Sequence, residues 1–277
     1  MPYPAPMRTA CIPLRSTLLN TPDIELWPGG TLRARSNAHA RLLARAQRVL
    51  RRKRDGQYLA VALAEGLHPL IPSLAHEPGL AAAKRALLHP PTQRSSGIRC
   101  VPTLPLHRLQ DRLASLGLDA DGYSVRTGLA LVPEPAQLAF AGFDRWHRGL
   151  WLDTEAARAW LRLQDAARTD GIVLDAISGY RSHDYQLGIF ERKLTRGQTV
   201  EQILAVNAAP GFSEHHSGLA LDIGTPDEPP AEESFEATPA FAWLQANAAA
   251  HGFTLSYPRN NPHGIIYEPW HWRYSAG

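Results

Sequence analysis

The chain has 277 residues, of which 44% are hydrophobic and 20% charged, and its net charge is +3 at pH 7. This composition is ordinary for a globular protein and excludes collagen-like and coiled-coil chains. No apolar run approaches the roughly 20 residues that a membrane-spanning helix needs, so we predict no transmembrane segment.

The first hundred residues form a basic region, with 15 Lys and Arg against 5 Asp and Glu, whereas residues 101–277 contain 14 against 21. Residues 1–30 are punctuated by proline and glycine and lack periodicity, which predicts extended or disordered chain. A helix is predicted from Ser36-Asn37 through residues 38–54, residues 57–88 are weakly helical, and residues 89–97 have a linker composition. We therefore predict a partly helical or disordered extension over residues 1–100 and a separate domain over residues 105–277.

The basic face of the predicted helix could bind nucleic acid or an anionic surface. No aromatic side chains interleave with these charges, as a platform for stacked bases would require. A solvated helix face is the simpler interpretation, so we expect no nucleic-acid partner.

The start of the chain and its cysteines bear on its compartment. The N-terminus lacks the ~7–15-residue apolar stretch of a secretory signal, which predicts a cytoplasmic protein. A misassigned start or another export route would instead place it in the periplasm or facing the cell wall. Cys11 and Cys100 are expected to be unpaired, although a bridge between them stays open.

From residue 105 onwards, helices and short strands alternate without a regular βαβ rhythm. Helices are predicted over 106–117, 154–170 with the cap Asp153, 185–197 with the cap Asp184, 200–209 after Thr199, and 240–251 after Thr238-Pro239. Strands are predicted over 129–132, 146–152, 172–177, 218–223, 253–257, 264–267 and 270–274. This order favours an α+β fold with a central antiparallel sheet flanked by helices over a doubly wound parallel sheet. We expect a monomer.

The segment from Ser213 to Asp222, SEHHSGLALD, contains candidate metal ligands. If Gly218 to Ile223 form a strand, the leucines face the core while Gly218, Ala220 and Asp222 face the other side, where there is room for an ion. His215 precedes this strand in a turn and could reach the same side. Successive side chains diverge, so we expect His215 rather than His216 to coordinate. By itself, such a pair is more often structural than a ligand set.

The segment Glu268-Pro-Trp-His271 supplies a further imidazole and a second carboxylate. Two imidazoles and Asp222 would leave the fourth position of a zinc ion open for water, and Glu268 could take the proton of that water. A separation of three residues puts Glu268 and His271 on opposite sides of a regular strand. Pro269 makes an irregular turn plausible that brings both side chains inward.

These motifs resemble the zinc D-alanyl-D-alanine carboxypeptidases of the vancomycin-resistance type and the related L,D-carboxypeptidases. Their patterns S-x-H-x-x-G-x-A-x-D and E-x-W-H-x-x-Y are matched at Ser213 to Asp222 and at Glu268 to Tyr274, and S-G-Y-R-S with a later glutamine is matched from Ser178 to Gln186. The resemblance covers residues 105–277. It implies a small α+β domain with the fold of the zinc D-alanyl-D-alanine carboxypeptidases, which is hedgehog-like. It implies Zn²⁺ held by His215, Asp222 and His271, with Glu268 as general base. It further implies that Arg181 receives the terminal carboxylate of the substrate, with Ser178 and Gln186 nearby, and that Ser213 also belongs to the substrate-binding residues.

The activity expected from the resemblance is hydrolysis of the C-terminal D-alanine of peptidoglycan stem peptides or muropeptides. The alternatives are L,D-carboxypeptidase or D,D-dipeptidase activity on related muropeptides, and a non-catalytic zinc or cell-wall-binding module. Retention of Glu268 argues against the non-catalytic alternative, because a module that only binds needs no base.

Overall fold

The computed structural model describes residues 17–32, 34, 36–90, 102–106 and 108–275. Its strands are β1 Thr17–Asn20, β2 Ile24–Pro28, β3 Arg48–Arg52, β4 Tyr58–Leu63, β5 Gly66–Pro69, β6 Gln137–Phe143, β7 Gly149–Leu152, β8 Asp175–Ser178, β9 Ala220–Gly224, β10 Phe253–Leu255 and β11 His271–Tyr274. The α-helices are α1 Asn37–Arg45, α2 Leu80–Leu88, α3 Leu109–Ala114, α4 Ala120–Thr127, α5 Thr154–Thr169, α6 His183–Thr195, α7 Val200–Leu204 and α8 Pro239–Asn247. Short 3₁₀ helices are Leu74–His76, Glu214–Ser217, Glu233–Ala237 and Ala248–His251. Within these residues, no helix combines the length and apolar character needed to cross a membrane.

The strands form two sheets. The larger sheet has the order β5-β4-β3-β2-β1-β6-β7, and the smaller has the order β10-β11-β9-β8. All paired neighbours run antiparallel. The predicted α+β class with an antiparallel sheet and flanking helices is thus confirmed.

Helix α5 packs the main core against the smaller sheet. The Asp153 carboxylate accepts the backbone N–H of Glu155 at 2.8 Å, so the predicted cap is confirmed. Apolar residues recur every three or four positions along one face, and these are Ala156, Ala159, Trp160, Leu163 and Ala167. They share one buried cluster with Leu221, Ile223 and Trp272. The opposite face of β9 is thereby left for Asp222.

The N-terminal region differs from the prediction. Residues 17–69 form five strands and the short helix α1, where the sequence predicted extended chain and a long helix over residues 38–54. The reason is that this sheet is covered on both faces: Val49 clusters with Leu43 of α1, and Leu50 clusters with Leu80 of α2. Adjacent apolar residues in a strand buried on both faces hide the alternation of a strand and imitate a helical stripe.

Several basic residues of the predicted helix face are paired inside the fold. The pairs are Arg51 with Glu25 at 2.7 Å, Arg52 with Glu77 at 2.6 Å, and Lys53 with Glu134. These cations therefore neutralise carboxylates of the same chain.

The larger sheet continues across the predicted division between residues 100 and 105. Strand β1 pairs with β6, with Leu18 opposite Leu138. The division into two domains stays a prediction, and the hydrogen-bonded sheet joins its two parts. Cys11 and Cys100 lie outside the described residues.

Some predicted elements of the second part need correction. The cap of α6 is Ser182, whose side chain accepts the N–H of Tyr185 at 3.0 Å, whereas Asp184 pairs with Arg112 at 2.5 Å.

Two predicted strands, residues 129–132 and 264–267, are absent, because their backbone groups bond to loops. The N–H of Val132 donates to the carbonyl of Gly211, and the N–H of Ile266 donates to the carbonyl of Ala205. Strand β6 was missed, since its sequence QLAFAGF has glycine and alanine where a strong strand pattern has branched residues.

Candidate metal centre

The turn before β9 fixes the position of His215. It is the 3₁₀ helix Glu214–Ser217, which ends at Gly218 with a φ of 72°. A Cβ on Gly218 would lie 2.6 Å from Leu138 Cδ2 and 2.8 Å from the backbone nitrogen of Asp153, so the turn requires glycine here. The carbonyl of Gly218 accepts the N–H of Asp153 at 2.8 Å, which joins the turn to the start of α5.

The sheet register brings the other two candidate ligands beside His215. His271 is the first residue of β11 and is paired directly with Asp222 of β9. The Asp222 carboxylate oxygen Oδ1 lies 3.3 Å from His215 Nε2 and 3.1 Å from His271 Nδ1. One donor atom of each residue lies within 4.8 Å of the other two, and all three side chains are buried. The predicted convergence of these residues is therefore what the fold produces.

The hydrogen bonds of His215 leave a lone pair directed at this point. Its Nδ1 lies 2.7 Å from the carbonyl of Gly179, which can only accept, so Nδ1 carries the proton. Its Nε2 is buried and has no hydrogen-bond partner among the described residues, although it faces the Asp222 oxygen. Two facing lone pairs at 3.3 Å favour a shared cation, so the donor set fits a metal ion. Burial, followed by the charge of Arg181, lowers the pKa of His215 to about 4, which keeps the imidazole neutral and able to coordinate.

Glu214 orients His271, a role that the sequence analysis missed. The N–H at His271 Nε2 donates to Glu214 Oε2 at 2.9 Å, which leaves Nδ1 turned towards Asp222. Burial lowers the pKa of His271, but the hydrogen bonds to Asp222 and Glu214 outweigh it and raise the pKa to about 10. A proton and a metal cation therefore compete for Nδ1. The carboxylate next to His215 in the motif was the available signal, since metal-binding histidines commonly donate their second N–H to a carboxylate.

Glu268 lies in a tight turn that leads into β11. Its backbone N–H donates to Tyr257 at 3.0 Å and its carbonyl accepts the N–H of His271 at 3.1 Å. The irregular turn expected at Pro269 brings Glu268 Oε2 to 3.8 Å from His271 Nδ1. Burial, reinforced by the charge of Asp222, raises the pKa of Glu268 to about 7. A carboxylate with this pKa is well matched to proton transfer near neutral pH.

The histidine pair divides as expected. His215 faces Asp222, whereas His216 is turned away, with the N–H of Gly211 donating to its Nε2 at 3.1 Å and its own Nδ1–H donating to the carbonyl of Arg181 at 2.6 Å. His216 therefore secures the backbone of Arg181.

A cavity of about 440 Å³ contains most of the predicted site residues. Its lining includes Arg181, Ser213, His215, Asp222, Glu268 and His271. The Nε of Arg181 is buried and has no hydrogen-bond partner among the residues that the structure describes. The guanidinium thus retains capacity for an anion inside the cavity.

Two predicted substrate contacts lie outside the lining of this cavity. Ser178 lines a smaller cavity of about 130 Å³ on another side of the Arg181 loop. Gln186 is buried in α6, and its amide donates to the carbonyl of Ala208, which itself lines the larger cavity. Tyr257 is an additional cavity residue that the sequence analysis missed, with its ring centred 4.7 Å from that of His271.

The chain is similar to a known family of carboxypeptidases. A family model described as VanY: D-alanyl-D-alanine carboxypeptidase matches residues 149–277. The putative carboxypeptidase YodJ of Bacillus subtilis (strain 168) is 40% identical over 148 residues, covering 51% of this chain and 54% of that protein. The bifunctional D-Ala-D-Ala dipeptidase and D-Ala-D-Ala carboxypeptidase VanXYC of Enterococcus gallinarum is 32% identical over 150 residues, covering 51% of this chain and 75% of that protein. A solved structure of the LdcB LD-carboxypeptidase is 40% identical with a TM-score of 0.41, covering 45% of this chain and 59% of that one.

Two imidazoles, an aspartate and a buried glutamate in one cavity have the composition of a metal-dependent hydrolase centre. The chain belongs to the VanY D-alanyl-D-alanine carboxypeptidase family. It spans about half the length of YodJ, the curated relative with 40% identity. The matched residues contain every predicted site residue, whereas β1 to β6 lie before them.

Proposed function

We propose that this protein is a zinc-dependent carboxypeptidase that removes the C-terminal D-alanine from peptidoglycan stem peptides. The observation that supports this most directly is the shared cavity of His215, Asp222, His271, Glu268 and Arg181. A carboxypeptidase needs a centre that attacks a peptide bond and a cation that recognises a free carboxylate. This cavity offers candidates for both.

The metal would be held by His215 Nε2, the Asp222 carboxylate and His271 Nδ1. Nitrogen and oxygen donors in this proportion suit zinc better than calcium or magnesium, which prefer oxygen alone. When bound, zinc would supply a Lewis acid that polarises the peptide carbonyl and makes water more acidic. The carbonyl of Gly179 and the carboxylate of Glu214 bind the opposite ring nitrogens of the two imidazoles, so that His215 Nε2 and His271 Nδ1 face Asp222.

Three further residues would handle the proton and bind the peptide, namely Glu268, Arg181 and Ser213. Glu268 accepts the proton of the attacking water and returns it to the departing amine, for which its raised pKa is suited. Arg181 pairs with the terminal carboxylate of the peptide, because a guanidinium can bind a carboxylate through two parallel hydrogen bonds. Ser213 lines the same cavity and is placed to contact the bound peptide.

A second candidate is dipeptidase activity on free D-Ala-D-Ala. It is favoured by the 32% identity to VanXYC, whose name describes both a dipeptidase and a carboxypeptidase. Cleavage of tetrapeptide stems, as an L,D-carboxypeptidase performs, uses the same centre and is tested with the same substrates.

The deciding experiment incubates zinc-loaded protein with pentapeptide stem, tetrapeptide stem and D-Ala-D-Ala, and measures released D-alanine. We expect the pentapeptide to be cleaved fastest and Glu268→Ala to lose at least about 100-fold in kcat, the smallest effect typical of a general base. Glu191→Gln, on the exposed part of α6, is the matched control and should keep wild-type activity. Failure of all three substrates to release D-alanine, with Glu268→Ala indistinguishable from wild type, would reject the proposal.

A further inference from the structure

The loop of residues 179–183 presents Arg181 to the cavity. The carboxylate of Glu134, which lies outside the matched family region, is hydrogen-bonded to this loop on both sides of Arg181. Glu134 precedes β6, and its Oε2 accepts the hydroxyl proton of Tyr180 at 2.5 Å. Its Oε1 accepts the backbone N–H of His183 at 2.9 Å. One carboxylate thus spans the loop from the residue before Arg181 to the start of α6.

The same carboxylate is held from the other side by the N-terminal sheet. Lys53, which follows β3, forms a hydrogen-bonded ion pair with Glu134 Oε2. Asn20, the last residue of β1, donates to that oxygen at 3.3 Å and to the hydroxyl of Tyr180 at 2.9 Å. Two donors from the Arg181 loop and two from the N-terminal sheet therefore converge on Glu134.

Because the carboxylate of Glu134 is buried, it needs the positive charge of Lys53 beside it. Lys53 is 2% exposed and Glu134 is 5% exposed, and a buried carboxylate without a counter-charge is strongly destabilising. Burial raises the pKa of Glu134, but the charge of Lys53 and the hydrogen bonds from Lys53 and Tyr180 outweigh it and hold the pKa well below its ordinary value. The carboxylate stays ionised, and its hydrogen bonds are of the stronger, charge-assisted kind.

The remaining contacts of the loop connect it to the metal centre. The N–H of Arg181 donates to the carbonyl of His215 at 3.2 Å, and the carbonyl of Arg181 accepts from His216. The Arg181 backbone thus lies between the 3₁₀ turn that contains His215 and His216 on one side and the carboxylate of Glu134 with its partners on the other. Neither set of contacts touches the guanidinium, which leaves it available to the substrate.

We propose that Glu134, neutralised by Lys53, is a positioning residue that holds the 179–183 loop in the conformation in which Arg181 receives the substrate carboxylate. The N-terminal sheet is then a working part of the enzyme rather than an appended region. This inference rests on the proposed function, because it takes Arg181 as the carboxylate receptor.

The test measures the loop directly and the enzyme separately, with Glu134→Gln in the full-length protein. We expect hydrogen exchange at the amides of Tyr180 and Arg181 to accelerate by about 10-fold, the equivalent of one charge-assisted hydrogen bond. KM for the pentapeptide should rise by a similar factor of about 10, while kcat changes less than about 3-fold and zinc affinity less than about 2-fold. In an Arg181→Met background, Glu134→Gln should change KM no further, since the positioned group is gone.

Glu77→Gln is the matched control. Glu77 forms a hydrogen-bonded ion pair with Arg52 at 2.6 Å in the same N-terminal region, and the hydrogen bonds described for Glu77 go to Arg52 rather than to the loop. It should lower the melting temperature without changing loop exchange or KM. A purely structural role for Glu134 predicts the same behaviour for Glu134→Gln, and that result would overturn the inference.

Tyr180→Phe serves if Glu134→Gln does not fold, since it removes one donor to the carboxylate and keeps the ring. Faster loop exchange with a raised KM would support the inference, and wild-type values of both would overturn it. A third outcome is that the wild-type protein releases no D-alanine while the Glu134→Gln variant still shows faster hydrogen exchange in the loop. That outcome would support the positioning of the loop by Glu134 and reject the carboxypeptidase function. The two failures are therefore distinguishable.

Discussion

The burial of Glu268 is expected to destabilise the folded chain above neutral pH, and this effect can be measured without an assay of catalysis. Its pKa rises from 4.5 to about 7 because the side chain is buried beside other carboxylates. A carboxyl group that holds its proton more tightly when folded favours folding below pH 4.5. That contribution is lost as the pH rises through 7. The shift from 4.5 to about 7 is 2.5 pKa units, which at 1.36 kcal/mol per unit corresponds to about 3 kcal/mol of lost stability at pH 8.

Replacing Glu268 by Gln removes the ionisable group and keeps the shape. In the presence of a chelator, Glu268→Gln should therefore be more stable than wild type by about 3 kcal/mol at pH 8 and by less than about 1 kcal/mol at pH 5. Urea denaturation at both pH values measures the difference, with Glu191→Gln as an exposed control that should show none. An equal stability gain at pH 5 and pH 8 would contradict this prediction, because such a gain could not come from the proton of Glu268.

Three further perturbations test the site. Asp222→Ala should weaken zinc binding by about 100-fold or more, measured by competition with a coloured chelator, since it removes a carboxylate that faces both imidazoles; unchanged affinity would exclude Asp222 as a ligand. Arg181→Met should raise KM about 10- to 100-fold for peptides with a free carboxylate and leave C-terminal amides unaffected, and equal losses on both would refute its role. Gly218→Ala should cost about 2–4 kcal/mol in urea denaturation, because it combines a φ of 72° with a Cβ 2.6 Å from Leu138. Gly197→Ala, with a φ of 84° and open space around its Cβ, should cost only about 1 kcal/mol, and equal costs would show that crowding at Gly218 is unimportant.

The sequence predicted the second half of the molecule better than the first for a physical reason. Along β9, the small or polar residues Ala220, Asp222 and Gly224 alternate with Leu221 and Ile223, so composition distinguishes the two faces of the strand. In β3, Val49 is buried against the neighbouring helix α1 and Leu50 against the distant helix α2. The local pattern of the strand does not record that both of its faces are covered. The pairing of β1 with β6 is equally invisible, since it joins residues more than a hundred positions apart.

The same division holds within the site. The convergence of His215, Asp222 and His271 could be predicted because a metal site demands particular side chains at particular spacings. The positions of Ser178 and Gln186 relative to the cavity depend on how a loop and a helix pack, which no spacing encodes. Glu134 and Lys53 carry no local signal at all, because their partners lie in other elements and only the folded chain brings them together.

The pairing of β1 with β6 has a consequence for attempts to produce the family-matched region alone. A fragment beginning near residue 105 would leave Gln137, Leu138 and Ala139 with an open row of backbone donors and acceptors along β6. Bare strand edges of this kind recruit other chains and promote aggregation. Truncation at the apparent boundary is thus a route to insoluble material, and useful recombinant fragments of this protein need to keep its first sheet strands.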